Sequence, residues 1–186
     1  MKKLTTTLFT VLALFFSRSS IAQMAMEKTV EVGGAAMYPS KNIIENAVNS
    51  KDHTTLVAAV KAAGLVETLQ SAGPFTVFAP TNEAFNMLPA GTVENLLKPE
   101  NKMLLTGILT YHVLAGKYDT DDLMKLIKDG KGTAELKTVQ GEPLWLMQKG
   151  KKLIIKDKKG AMAAITIKNV YHKNGVIHVI DHVLMY

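Results

Sequence analysis

The sequence predicts an α+β fold, with helices in the first two thirds of the chain and an antiparallel sheet in the last third. Between Ser40 and Ile127, apolar residues recur at intervals of three and four, as they do along one face of a helix. From Gly132 onward the apolar interval changes to two, and glycine-containing turns separate the runs. Helices followed by a separate meander of strands are typical of an α+β domain.

The helical region begins at Ser40, which we expect to cap a short helix that carries Ile43 and Ile44. Asp52 is the expected cap of a second helix, and Gly64 is placed to end it. Later helices are predicted at 65–69, 82–87, 92–99, 100–109 and 120–127. The first turn of the last helix is acidic, which stabilises its start because acidic side chains interact favourably with the positive N-terminal end of a helix.

Strands are predicted first at 75–79 and 111–114, and then as the C-terminal meander. The meander comprises 134–139, 144–148, 153–156, 165–172 and 176–184. Asn174-Gly175 is the strongest hairpin signal in the chain, because both central positions of that turn require positive φ. Pairing across this turn would set Tyr171 against His178.

The N-terminus has the features of a secretory signal peptide over residues 1–22. A basic start precedes Leu8–Phe16, nine apolar residues that are too few to span a bilayer. Ser20-Ile21-Ala22 provides small residues for cleavage after Ala22, so we expect a secreted or periplasmic protein with no membrane span in its mature chain. Residues 23–37 contain Gly33-Gly34 and are predicted to be a linker or loosely packed arm, with the domain at 38–186.

The composition argues against a nucleic-acid partner and excludes disulfide bonds. Arg18 is the only arginine, so the predicted mature chain lacks the guanidinium group that reads guanine and phosphate, which argues against a nucleic-acid partner. The sequence has no cysteine, so disulfides cannot stabilise the exported domain. Removing Lys2, Lys3 and Arg18 lowers the formal charge from +6 to +3. Residues 131–186 hold ten lysines against four acids, so the C-terminal part is basic.

The stretch FTVFAPTNEAF, Phe75 to Phe85, joins a strand to a helix at Pro80. Thr81 is the expected N-cap of that helix, although Ala84 leaves the capping box incomplete. A nucleophile elbow would need Gly-x-Ser-x-Gly, and those glycines are absent here. The catalytic alternative is a hydroxyl–imidazole–carboxylate set made of Thr81, His112 and Asp181.

Three segments of the chain form one ordered set: FTVFAPTNEAF at 75–85, the Tyr-His pair at 111–112 and NGVIHVIDHVL at 174–184. In their order and rough spacing they resemble the fasciclin domain family. The resemblance implies a wedge-shaped β-sandwich with several short helices packed along one edge. It also implies an exported, non-catalytic binding or adhesion module for cell-surface, matrix or polysaccharide partners. The alternative is a carrier of a small apolar ligand such as a carotenoid, and an enzyme ranks third.

The Tyr111-His112 pair is the candidate binding site that the resemblance implies, because in some animal members the tyrosine has been linked to integrin adhesion. The alternative is that both side chains belong to the core, since Ile108, Leu109 and Val113 surround them in sequence. Trp145 presents the same choice between a contact surface and a packed core residue, with the core favoured.

No metal or cofactor site is predicted. His178 and His182 have the four-residue spacing that chelates on a helix, but their β-branched neighbours indicate a strand. Four residues of strand span about 13 Å, which is too far for one zinc ion. We therefore expect structural histidines that are hydrogen-bonded within the sheet.

A polyanion-contact hypothesis concerns the lysines of two turns. Lys151 and Lys152 flank one end of the predicted strand 153–156, and Lys158 and Lys159 flank the other, so the four would form a stripe. Such a stripe would attract an acidic polysaccharide. The alternative is that these lysines solvate turns and protect exposed strand edges from aggregation.

Overall fold

A computed structural model describes residues 27–186. The predicted signal peptide, 1–22, and the start of the predicted arm lie outside the described residues. The described part has seven α-helices and nine β-strands. The helices are α1 (Ile43–Ala47), α2 (Thr54–Ala63), α3 (Val66–Gln70), α4 (Asn82–Asn86), α5 (Thr92–Leu96), α6 (Lys102–Tyr111) and α7 (Thr120–Asp129).

The strands form one hairpin and one seven-stranded sheet in the described residues. They are β1 (Val30–Val32), β2 (Ala35–Met37), β3 (Phe75–Pro80), β4 (Val113–Ala115), β5 (Thr133–Lys137), β6 (Pro143–Lys149), β7 (Lys152–Lys156), β8 (Met162–His172) and β9 (Gly175–Ile180). The large sheet has the order β4-β3-β9-β8-β7-β6-β5. The predicted meander is present from β5 to β9, and the α+β class is confirmed.

The sheet folds back on itself along the long strand β8. The pairing of β8 with β9 shifts register twice, between Ile165 and Val170, and Asn169 adopts a left-handed φ of 59° there. Such bulges bend a strand and increase its twist. Buried side chains of β3 and β9 therefore meet those of β6 and β7 in one core, which includes Phe78, Ile180, Leu144, Leu146 and Ile155.

The helices cover the other face of β3 and β9. These two strands are parallel neighbours, an arrangement that the sequence did not predict. Val77 and Ala79 point to the helical side, and they share a second core with residues of α2 and α6 such as Val60 and Leu105. Because β3 is buried on both faces, it is almost entirely apolar.

The segment before Tyr38 differs from the loosely packed arm that the sequence predicts. β1 and β2 form an antiparallel hairpin, and Gly33 and Gly34 make its turn with φ of 60° and 74°. Val32 and Met37 are buried in the helical core. The two glycines thus favour a tight turn, which requires positive φ, and do not indicate a disordered linker.

The C-terminal hairpin also differs in detail from the prediction. Lys173 and Asn174 form the turn, and His172 pairs with Gly175, so Tyr171 lies opposite Val176 instead of His178. Neither Asn174 nor Gly175 has positive φ. The predicted register was wrong because the turn sits one residue earlier, where the Asn174 side chain bonds to distant parts of the chain.

Several predicted helix starts shift by a residue or two. The cap of α1 is Asn42, whose side chain accepts from the Glu45 amide in a capping box, and not Ser40. Asp119 caps α7 in the same way with Asp122. Asp52 lies in a short 3-10 turn before α2 and does not cap it. Gly64 ends α2 with φ of 73°, as predicted.

Candidate functional site

The joint at Pro80 connects β3 to α4, and its polar side chains cap two helices. Thr81 Oγ1 accepts a hydrogen bond of 3.3 Å from the Ala84 amide and caps α4, as predicted. Asn82 Oδ1 accepts from the Thr55 amide at 3.0 Å, so it serves as the missing cap of α2. The same Asn82 side chain donates to the Lys51 carbonyl at 2.8 Å. The polar groups of this joint are therefore committed to holding helix ends.

Tyr111 ends α6, in place of the predicted strand start, and its ring is fully buried. Its hydroxyl donates to the Pro143 carbonyl at 2.7 Å and accepts from the Lys158 amide at 3.0 Å. Burial raises the pKa of this hydroxyl. Tyr111 therefore ties the end of α6 to the start of β6 and to the turn after β7, and it presents no atom at the surface.

His112 is buried directly after α6. Its Nδ1 lies 2.8 Å from the Ile108 carbonyl and so carries the proton, while Nε2 accepts from the Leu184 amide at 2.9 Å. Burial lowers the pKa of this ring to about 4, against the smaller opposing effect of the Ile108 carbonyl. A neutral ring with both nitrogens engaged is a structural histidine.

The hydroxyl–imidazole–carboxylate set is not assembled. His112 has no free nitrogen, and the Thr81 hydroxyl caps α4. Asp181 Oδ1 accepts from the Ala164 amide at 2.7 Å and from His182 Nδ1 at 2.8 Å. Each of the three residues thus has its own separate partners.

The histidines of NGVIHVIDHVL have different environments. His178 is buried in β9, where Nε2 donates to the Tyr118 carbonyl at 2.9 Å and burial lowers the ring's pKa. His182 is exposed beyond the end of β9, so the expected sheet environment holds for His178 alone. Within residues 27–186, no three metal-ligating side chains gather into a group suited to an ion.

The outward face of β5, β6 and β7 is the best candidate for a binding surface. Leu153 and Ile155 are buried, so alternation turns Lys152, Ile154 and Lys156 to the opposite face. The facing strand β6 places Trp145 opposite Lys156 and Met147 opposite Ile154. We call this surface the outer sheet face; it consists of Glu135, Trp145, Met147, Lys149, Lys152, Ile154, Lys156 and Met162.

Trp145 lies half-buried on the outer sheet face, so the predicted core position was wrong. Leu144 and Leu146 on either side are fully buried, and strand alternation requires the residue between them to face outward. The indole Nε1 donates to Glu135 Oε2 at 3.1 Å. This bond, across the β5–β6 pair, holds the ring in one orientation.

The lysines of this region have little charge compensation. Lys158 Nζ lies 2.6 Å from Glu142 Oε2, and it is the one lysine among residues 27–186 with a carboxylate within 4.0 Å. Lys149 Nζ lies 3.3 Å from the sulfur of Met162, so its side chain crosses the apolar part of the outer sheet face. Lys151 and Lys159 are exposed in the turns at opposite ends of β7, and contact of these lysines with a polyanion stays a prediction.

A cavity lies between the helices and the sheet. Its volume is about 90 Å³, and its lining is almost entirely apolar. Val60, Leu69, Phe75 and Ile177 contribute to the walls. His53 also lines it, with Nδ1 2.9 Å from Ser50 Oγ and a pKa that burial lowers.

Comparison with known proteins identifies the family. The model described as "Fasciclin domain" matches residues 51–186, so the chain belongs to the fasciclin family. Members of this family are generally non-enzymatic, adhesion-type modules. The described residues also match the solved "FAS1 Domain Pair from the Insect Cell Adhesion Molecule Fasciclin I" with a TM-score of 0.71 at 16% identity. That match covers 87% of this chain and 59% of the other, and it supports the fold.

Three relatives show how widely the sequence is shared. Protein sll1483 of Synechocystis sp. is 44% identical over 96% of this chain and 93% of its own length. The immunogenic protein MPB70 of Mycobacterium bovis is 38% identical, over 75% of this chain and 66% of its own. The transforming growth factor-beta-induced protein ig-h3 of Sus scrofa is 40% identical over 69% of this chain, but the match spans only 17% of ig-h3.

None of the helices in residues 27–186 combines the length and the hydropathy that a membrane span requires.

Proposed function

We propose that the protein is an exported adhesion module that attaches to an acidic polysaccharide through its basic C-terminal part. The observation that supports this most directly is the uncompensated charge on one side of the sheet. Lys151, Lys152 and Lys159 are exposed and have no acidic partner within 4.0 Å. Lysine ammonium groups act as strongly hydrated point charges, which suits attraction to a flexible polyanion more than recognition of one fixed geometry.

The position of β7 weakens the alternative that these lysines protect a strand edge. β7 pairs with β6 on one side and with β8 on the other, so it has no free edge in the described structure. Lys152 also lies directly opposite Lys149, and like charges in this position destabilise a sheet. Edge protection therefore does not explain why these lysines lie here, whereas a function that uses their charge does.

The test is retention on an acidic polysaccharide at two salt concentrations. Replacing Lys151, Lys152, Lys158 and Lys159 with Gln removes four charges, and we expect a large loss of retention at low salt. The Lys158–Glu142 pair is exposed and contributes about 0–1 kcal/mol, so folding should survive its loss. Retention of the wild type should itself decrease steeply towards physiological salt, because the Debye length shortens to about 8 Å.

A matched control removes the same number of charges elsewhere. Lys28, Lys61, Lys98 and Lys102 are exposed and lie outside the β5–β8 region. Their replacement with Gln should reduce retention far less than the variant of the two turns. Equal retention of the wild type and the turn variant at low salt would remove the polyanion proposal. A pull-down of cell-envelope material and exopolysaccharide with the mature protein would then identify the partner.

A second candidate function is a carrier of a small apolar molecule, because the interior contains an apolar cavity. Its volume of about 90 Å³ is smaller than an engineered cavity of about 150 Å³ that holds benzene. Pockets for drug-sized ligands have roughly 300–1,000 Å³. The described cavity therefore does not match a carotenoid, whose polyene is much longer than benzene. Organic extraction of the purified protein tests this candidate, and a coloured or lipid-containing extract would favour it.

Export is the remaining component of the proposal, and it concerns residues outside the described structure. Cleavage after Ala22 predicts a mature N-terminus at Gln23 in the periplasmic or extracellular fraction. Mass spectrometry of that fraction checks it, and a mature pool that retains Met1 would contradict it. The assignment of Tyr111 and His112 to partner contact also stays a prediction, for which their burial offers no support.

A further inference from the structure

We infer that the depression beside Trp145 on the outer sheet face is a binding site for one acidic sugar residue of such a polymer. This inference rests on the proposed function and assigns it a specific site. The depression has a volume of about 390 Å³. Its lining includes Trp145, Met147 and three lysines, Lys156, Lys158 and Lys159. Asp157 also contributes, but its side chain is buried and both oxygens accept from backbone amides.

The indole of Trp145 provides the apolar floor of this site. Its Nε1–H is already bonded to Glu135, so the ring is held in place before any ligand arrives. Met147 lies on the same face two residues further along β6. The C–H face of a pyranose ring is apolar, and a rigid aromatic surface can bury it with little loss of conformational entropy.

The lysines provide the recognition of charge. Lys156 is directly opposite Trp145 in the register, and Lys158 and Lys159 follow in the next turn. A sugar ring stacked on the indole would place its carboxylate within reach of these flexible ammonium groups. Lys149 and Lys152 lie on the same face beyond Met147 and Ile154, where they can contact the next sugar along the chain. The combination suits a polymer of acidic sugars, and a polyuronate is the member of that class with one carboxylate on each ring.

An anionic membrane is the other surface that cationic and aromatic residues attract, and the face fits it less well. Glu135 bonds to Trp145 from the neighbouring strand β5, and the remaining acceptor sites of its carboxylate suit sugar hydroxyls, which a phospholipid surface offers far less. Ile154, Met147 and Trp145 are half-buried in the sheet and do not project as a wedge. The row of outward-facing residues along β6 and β7 suits an extended polymer.

The only tryptophan in the sequence lies in the proposed site, so its fluorescence reports binding there directly. The probe is alginate oligosaccharide, a polyuronate, with neutral dextran as the uncharged arm and anionic phospholipid vesicles as the membrane arm. We expect alginate to change the emission of the wild-type protein at low salt in a saturable way. Dextran and vesicles should leave it unchanged.

Two variants separate this site from general charge attraction. Trp145→Ala should raise the Kd for alginate, measured by calorimetry, about tenfold, which corresponds to 1.4 kcal/mol. Lys156→Gln should reduce the fluorescence response while Trp145 remains. Tyr38→Ala is the control, because Tyr38 is an exposed aromatic residue outside the β5–β8 region, and it should bind as the wild type does.

The outcomes distinguish the two proposals. Alginate binding with unchanged fluorescence and an unaffected Trp145→Ala variant would overturn the site and leave the proposed function intact. Absence of alginate binding at low salt would overturn both. A fluorescence response to vesicles but not to alginate would overturn the sugar site in favour of a membrane surface. Equal binding of dextran and alginate would overturn the requirement for an acidic sugar.

Discussion

Asn174 shows how one buried side chain joins distant parts of this chain. Its Oδ1 accepts from the Ile43 amide at 3.0 Å, and its Nδ2 donates to the carbonyls of Leu69 and Ser71 at 2.7 and 2.8 Å. It therefore holds the start of α1 and the end of α3 against the β8–β9 hairpin. The dipeptide Asn174-Gly175 predicted a turn correctly, but these long-range bonds displace the turn by one residue. Local sequence carries no signal for them.

Gly175 is required by close packing and not by positive φ. A Cβ atom at this position would collide with the carbonyl oxygen of Phe75 on the neighbouring strand β3. We predict that Gly175→Val lowers the free energy of unfolding by roughly 1–3 kcal/mol, the usual cost of overpacking. Urea unfolding measures it. Lys173→Val introduces the same side chain at an exposed position of the same turn and should cost much less; equal losses would contradict the steric explanation.

At the scale of elements, the predictions succeeded where the pattern is local. Hydrophobic alternation predicted the ends of β5 to β8 within three residues, because these strands have a buried and a more exposed face. β9 is buried on both faces, and its predicted end lay four residues too late. The same alternation, applied to Leu144 and Leu146, was sufficient to place Trp145 on the outer sheet face. The parallel pairing of β3 and β9 joins segments about a hundred residues apart, and no local pattern predicts it.

Helix α2 offers a test of capping from a distant segment. Asn82 caps it from the start of α4, and the side chain makes three hydrogen bonds to residues 51–55. We predict that Asn82→Ala lowers the free energy of unfolding by about 1–2 kcal/mol, as the loss of an N-cap does. Asn86→Ala changes an exposed asparagine in the same helix and should leave stability within about 0.5 kcal/mol. Identical urea midpoints for the two variants would contradict this role for Asn82.

At the scale of the whole molecule, buried neutral histidines should make the fold acid-sensitive. Burial lowers the pKa of His112 and of His172 from 6.5 to about 4. Between these values the unfolded chain binds more protons than the folded one, so stability is full above about pH 6.5 and falls as the pH approaches 4. Each ring contributes about 3 kcal/mol to the loss of unfolding free energy between pH 6.5 and pH 4.

Urea unfolding at pH 7.5 and at pH 4.5 measures this effect, and the midpoint should be clearly lower at the acidic pH. Replacement of the buried His172 with Gln should reduce the difference between the two urea midpoints, whatever it does to the midpoint at neutral pH. Equal midpoints of the wild type at both pH values would contradict the assignment of neutral buried rings.

The charge of the molecule is divided between its two parts. Residues 23–130 hold nine lysines against twelve acids, and residues 131–186 hold ten against four. This division was predictable from the sequence. The sequence did not predict that Lys149, Lys152 and Lys156 share one face with Trp145, because that depends on strand register. The proposed binding of an acidic polysaccharide rests on this outer sheet face.

The most direct test of that account is nuclear magnetic resonance of the labelled mature domain titrated with alginate oligosaccharide at low salt. The single tryptophan gives one indole N–H signal, which marks the outer sheet face without ambiguity. We predict that this signal and the amides of β6 and β7, from Trp145 to Lys156, shift together and reverse when salt is added. Shifts confined to α6 around Tyr111 or to the cavity lining, with the indole signal unmoved, would contradict it.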